Sequence, residues 1–85
     1  MVILYLPRFV REYKKLPIHI KDFAEKREKI FRKNPFASRL KTHKLQGELR
    51  EFYAFSINQK YRIIFDMPKS KLARFYSIGT HAIYE

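Results

Sequence analysis

The stretch LREFYAFSINQKYRIIFD, residues 49–66, decides how this chain folds. Two runs rich in aromatic and β-branched residues, 49–57 and 60–66, flank Asn58-Gln59. Such residues fit a pleated, half-buried surface, and a short polar pair between two such runs reads as a hairpin turn. Asn tolerates the left-handed backbone conformation of a two-residue turn. The expected pairing therefore sets Ile57 opposite Lys60 and Phe55 opposite Arg62. One face then carries Tyr53, Phe55, Ile57, Lys60, Arg62 and Ile64, and the other Phe52, Ala54, Ser56, Tyr61, Ile63 and Phe65. Unpaired charges are rarely buried, so the face with Lys60 and Arg62 is expected outward. There Tyr53 and Phe55 would stand beside a guanidinium, a combination that stacks on bases and holds phosphate.

Downstream, Pro68 to Lys71 reads as a turn and residues 72–78 as a third strand ended by Gly79. Upstream, VILYL (2–6) reads as a buried strand, and Pro7 suits the first turn of a helix, where its missing N–H costs nothing. Phe9, Tyr13 and Leu16 mark one face of that helix, which Pro17 ends. A second helix over 18–33 carries Ile20, Phe23, Ala24, Ile30 and Phe31 inward and stops at Asn34-Pro35. Residues 35–47 show no period and read as a loop carrying His43. The order is β-α-α-β-β-β. The expected class is α+β, a small, mostly antiparallel sheet covered by a helical hairpin, in a single domain over 1–85.

The chain has 85 residues, 19 Lys+Arg against 8 Asp+Glu, and a net charge of +11. The excess is uneven: 13 basic residues face 4 acids in residues 1–44, and 6 face 4 in residues 45–85. A small, strongly basic domain of this kind meets a polyanion, usually nucleic acid. Cysteine is absent, which excludes a disulfide framework and a thiolate metal site. No apolar run approaches the roughly 20 residues that span a bilayer, so no membrane partner is expected. The apolar start lacks a basic leader and reads as mature chain. The 8 Phe and 6 Tyr give a thin core large buried area.

The candidate chemistry is narrow. Two glycines leave no phosphate-cradling loop, and no serine has an evident base and orienter. His19, His43 and His81 lack metal-ligand spacing, so neither metal nor cofactor is expected. A metal-free enzyme on a polyanion points to RNA, whose 2′-OH is an internal nucleophile. Such a site needs a base for the 2′ proton, a cation for the phosphate and an acid for the leaving 5′ oxygen. Arg62, His81, His43 and Tyr84 have the right chemistry for those parts. Lys41 and Lys44 beside His43, Lys60 with Tyr53 and Phe55, and Lys14-Lys15 at the end of the first helix are the expected RNA contacts.

Blocks along nearly the whole chain resemble the RelE/ParE toxin superfamily of type II toxin–antitoxin modules, most closely its YafQ/RelE branch. They are Phe9, Arg11-Glu12-Tyr13-Lys14-Lys15-Leu16-Pro17, Asn34-Pro35-Phe36, Leu40, His43, Leu45, Gly47, Phe55-Ser56-Ile57-Asn58, Tyr61-Arg62-Ile63-Ile64-Phe65, Ile78-Gly79-Thr80-His81 and Tyr84. The resemblance implies a cytoplasmic, ribosome-dependent endoribonuclease that cuts mRNA while bound to rRNA. It also implies a cognate antitoxin that blocks the basic surface in a toxin–antitoxin hetero-oligomer. Arg62 matches the arginine placed on the scissile phosphate, His81 and His43 match histidines of the YafQ-like branch, and Tyr84 is similar to the C-terminal aromatic. A ParE-like gyrase inhibitor, or an inactive nucleic-acid- or antitoxin-binding module, is the alternative. The chain departs from its relatives at Tyr53 and Phe55, where some carry lysines. It departs again at Ser56, in place of a histidine, and at Ser77, in place of an arginine.

Overall fold

The computed structural model describes residues 1–84, and of Tyr84 only the backbone. Strand β1 (Val2–Tyr5) leads directly into α1 (Pro7–Lys14), with Pro7 at the first helical position. The last turn of α1 tightens, Lys15 N–H donating to the Glu12 carbonyl and Leu16 N–H to that of Tyr13. Pro17 then starts α2 (Ile18–Lys33). Ile20, Ala24 and Phe31 are the buried residues of α2, whereas Phe23, expected inward, is exposed. Arg27 sits in the apolar seam, half-buried, and its Nη1 donates to the Arg39 carbonyl at 3.1 Å, so its stem covers core while its head ties down the next segment.

After a 3₁₀ turn at Ser38–Leu40 come β2 (His43–Lys44), a second 3₁₀ turn at Gly47–Leu49, and then β3 (Tyr53–Ser56), β4 (Arg62–Lys69) and β5 (Leu72–Gly79). The sheet runs β1-β5-β4-β3-β2; β1 is parallel to β5 and every other pair is antiparallel. The α+β architecture with its C-terminal meander is as expected. β2 is an addition: two residues of the segment read as loop pair with Tyr53 and Ala54, too short a strand to leave a period in the sequence.

The hairpin register differs from expectation by one residue. Phe55 pairs with Ile63 and Ser56 with Arg62. The connection is wider than two residues: Ile57 N–H donates to the Tyr61 carbonyl at 3.1 Å, enclosing Asn58, Gln59 and Lys60. Asn58 does not adopt a left-handed conformation, which among the described residues is confined to Lys41, Gly47 and Lys71. Its Oδ1 instead accepts hydrogen bonds from the N–H groups of Lys60 (2.9 Å) and Tyr61 (2.7 Å), so the side chain builds the turn.

Because side chains alternate, this one-residue slip turns the β3 residues to the opposite face, while those of β4 stay as expected, with Ile63 and Phe65 inward and Arg62 on the other face. Phe55, Ile57, Ile63 and Phe65 point into the helix-covered core, with Tyr53 packed at its margin. Phe55 is fully buried, so the expected stacking surface on Phe55 does not exist. Phe31 of α2 closes the core over three strands, its ring 4.9 Å from those of Phe55 and Phe65 and 5.1 Å from that of Phe75. A bulge at Tyr76, between the pairs Phe65–Phe75 and Ile64–Ser77, lets Phe75 and Ile78 both face inward despite their three-residue spacing. A second irregularity between Asp66 and Lys69 accommodates Pro68, so β4 runs on to Lys69 where a turn was expected. No helix among the described residues is long and apolar enough to cross a membrane.

Candidate active site

Three segments far apart in sequence meet at one end of the sheet. His43 comes from edge strand β2, Arg62 from the first position of β4, and His81 from the 3₁₀ turn His81–Tyr84 that follows β5. Together with Leu45, Gln46 and Leu49 they line a cleft of about 420 Å³. Sequence reading singled out the two histidines and the arginine but not Leu45, Gln46 and Leu49. These stand in and just before the Gly47–Leu49 turn, and no periodic pattern marks them.

Arg62 is held from one side. Its Nη1 donates to the carbonyls of Asn58 (2.9 Å), Tyr61 (3.1 Å) and Gln59 (3.2 Å), all in the β3–β4 connection. Nη2 and Nε have no partner among the described residues. A guanidinium has five N–H donors in a planar fork, so the loop uses one nitrogen and leaves the remaining donors to bind an oxyanion. Asn58, the residue whose side chain shapes this loop, therefore also supplies a carbonyl that positions Arg62.

His43 is oriented from behind. Its Nδ1 lies 3.2 Å from the Lys41 carbonyl, which can only accept, so the neutral ring carries its proton on Nδ1 and its lone pair on Nε2. Lys41 occupies the left-handed region at φ 53°. His81 lies on the exposed turn after Gly79, and the close packing of that turn explains the glycine. A Cβ on Gly79 would stand 2.5 Å from Cγ2 of Ile83, so only glycine lets the turn fold back on the strand end. The side chain of Tyr84 lies outside the described residues.

The remaining expected contacts are distributed unevenly. Lys41, Lys44 and Lys60 are exposed on the segments that carry His43 and Arg62. Lys14 instead lines a groove of about 450 Å³ between α1 and α2, with Tyr5, Phe9, Tyr13 and Phe75. That groove is slightly larger than the cleft, but its walls are mainly apolar; its polar groups are Lys14 and the hydrogen-bonded pairs Tyr5–Glu28 and Tyr13–Glu25, and it contains neither a histidine nor an arginine. Lys15 stands exposed at the end of α1 and does not line the cleft. Ser77 is buried, and its hydroxyl donates to Glu12.

Neither a protein-family model nor a curated sequence relative matches the chain. Solved structures do. YafQ from E. coli strain BL21(DE3) superimposes with a TM-score of 0.80 at 21% identity, covering 96% of this chain and 94% of that one. The fold is that of the RelE-like toxins. A YoeB/ParE toxin from Agrobacterium tumefaciens gives a TM-score of 0.80 at 13% identity, covering 95% of this chain and 99% of that one. A YoeB–YefM complex from Staphylococcus aureus gives 0.78 at 19% identity, with 95% and 97% covered.

Proposed function

We propose that this protein is the toxin of a toxin–antitoxin pair and cuts mRNA on the ribosome by metal-free acid–base chemistry. The observation that carries the reading is the convergence of His43, Arg62 and His81 on one cleft from three separate segments. In the proposed reaction His43 Nε2 takes the proton of a ribose 2′-OH, and the 2′ oxygen attacks the adjacent phosphorus. Arg62, through Nη2 and Nε, stabilises the charge that builds on the phosphoryl oxygens. His81 donates a proton to the departing 5′ oxygen. The bond from phosphorus to the 5′ oxygen breaks as the bond to the 2′ oxygen forms, giving a 2′,3′-cyclic phosphate and a free 5′-OH.

The net charge of +11 supports a ribosomal setting, because cations clustered on the helices and the 39–44 segment attract RNA phosphates in a salt-dependent way. The likeness to a toxin solved in complex with YefM supports an antitoxin partner. The test is translation in vitro followed by primer extension, with and without the purified protein. Expected are new 5′ ends within codons, formed only on translated message and absent with Arg62→Ala. Intact message together with loss of DNA supercoiling activity by gyrase would replace this reading with the gyrase-inhibiting one.

A further inference from the structure

We propose that Phe36, backed by Tyr53, is a platform on which a base of single-stranded RNA stacks beside the cleft. This deepens the RNA reading above and rests on it.

Phe36 is 53% exposed. Single exposed apolar residues are common on protein surfaces; support and charge set this one apart. Its N–H donates to Asn34 Oδ1 at 3.0 Å, and Ala37 N–H donates to the Asn34 carbonyl at 3.1 Å, which closes the turn that presents it. Thr42 Oγ1 donates to the Pro35 carbonyl at 2.6 Å and ties that turn to the approach of β2. The ring meets Tyr53 edge-on, centroids 5.4 Å apart and planes at 82°, and Tyr53 stacks on the fully buried Phe65 at 5.5 Å. The ring is thus held from the core side, with its other surface in water.

Its surroundings are cationic. Residues 33–44 contain Lys33, Arg39, Lys41 and Lys44, all exposed, and no acidic residue. A nucleotide brings a flat apolar base and a phosphate together, which matches an aromatic ring among lysines and arginines. An apolar peptide segment would find one ring here and little else to cover.

The position also fits a strand leaving the cleft. β2 is an edge strand, and its two residues face opposite ways: His43 lines the cleft, while Lys44 pairs with Tyr53, which touches Phe36. RNA that passes from the cleft over this two-residue edge meets Lys44 and then the Phe36 ring.

The chain contains no tryptophan, so Phe36→Trp installs a single indole reporter. Decaadenylate should quench its fluorescence on binding, with the same midpoint as binding measured by anisotropy of labelled RNA. Inorganic polyphosphate and poly-glutamate should not quench it. Phe36→Leu, which keeps the apolar bulk and loses the π face, should bind decaadenylate about tenfold more weakly, as expected for one stacked base. Equal binding by Phe36→Leu overturns the proposal, as does no binding by the native chain. Equal quenching by polyphosphate assigns the site to charge alone, and quenching by poly-glutamate but not RNA makes it a protein-docking surface; either overturns it. Quenching by RNA without cleavage in a translation extract overturns the nuclease reading and leaves the platform standing.

Discussion

The hydroxyl of Ser77 donates a 2.6 Å hydrogen bond to Glu12 Oε1, joining α1 to β5 across 65 residues of sequence. The same oxygen accepts the N–H of Ile78 at 3.1 Å, and Oε2 accepts from Arg8 Nε at 3.2 Å. β1 ends at Tyr5, whose partner is Phe75, so the next part of β5 has no β1 neighbour; the Glu12 carboxylate takes its place. A hydrogen bond to a charged group is worth about 1.5–3 kcal/mol; Glu12→Ala loses three of them and leaves the Ser77 hydroxyl and the Ile78 N–H without this partner, whereas Ser77→Ala loses one. Glu12→Ala should therefore destabilise the chain clearly more than Ser77→Ala, read as midpoints of urea unfolding.

The grip on Arg62 predicts an order of effects. Arg62→Ala should lower the cleavage rate about 10²–10³-fold, the usual loss when a charge-stabilising donor is removed. Arg62→Lys should rescue little, because three N–H donors cannot both satisfy the loop carbonyls and fork onto a phosphate. Asn58→Ala, which removes the acceptor that shapes the loop, should slow cleavage less than Arg62→Ala and leave binding of RNA nearly unchanged. Rates on programmed ribosomes and RNA affinities by anisotropy separate these cases.

Gly79 predicts a paired effect. Gly79→Ala places a methyl group against Ile83, and overpacking of this kind costs about 1–3 kcal/mol. The turn carrying His81 must then move, so cleavage should fall together with stability. Adding Ile83→Ala removes the clashing atom and should restore much of the activity. A double variant as slow as the single one would show that the glycine acts through its backbone and not through this contact.

Three tyrosines predict alkaline behaviour. Burial pushes the hydroxyls of Tyr5, Tyr13 and Tyr76 above the ordinary tyrosine range, and the neighbouring carboxylates Glu28, Glu25 and Asp66 respectively push the same way. The folded state thus holds these protons more tightly than the unfolded chain. That stability is present below the ordinary value of about 10 and is lost as pH rises through the raised folded values. The urea midpoint should fall above about pH 10, and Tyr76→Phe should make that fall shallower.

Local pattern was enough to place β1, both helices and the three strands of the meander, because each is written within one window: Pro7 and Pro17 punctuate α1, and β-branched and aromatic runs mark the strands. It did not give their burial or ends: β1, read as buried, exposes Val2, Leu4 and Tyr5, and β3 starts at Tyr53 and not at residue 49. Face assignment failed where a single side chain overrode the pattern. Asn58 Oδ1 widens the hairpin by capping two N–H groups, and one residue of register sends Phe55 into the core and leaves Arg62 facing the other way. The bulge at Tyr76 and the pairing of His43–Lys44 depend on partner strands and leave no local trace.

Sequence alone determines the class of this protein: a basic, cysteine-free α+β chain whose candidate acid–base groups are His43, His81 and Tyr84, with Arg62 as the candidate phosphate-binding cation. It also determines which polar residues are candidates, since His43, Arg62 and His81 are legible by type. Only the tertiary structure decides that these three share a cleft, because segments 19 or more residues apart are brought together by strand order and not by local propensity. It also decides that Phe36, and not Phe55, offers an aromatic face to solvent. The reason is geometric: side chains alternate along a strand, so the fate of every residue on it follows from a register that is set by contacts elsewhere.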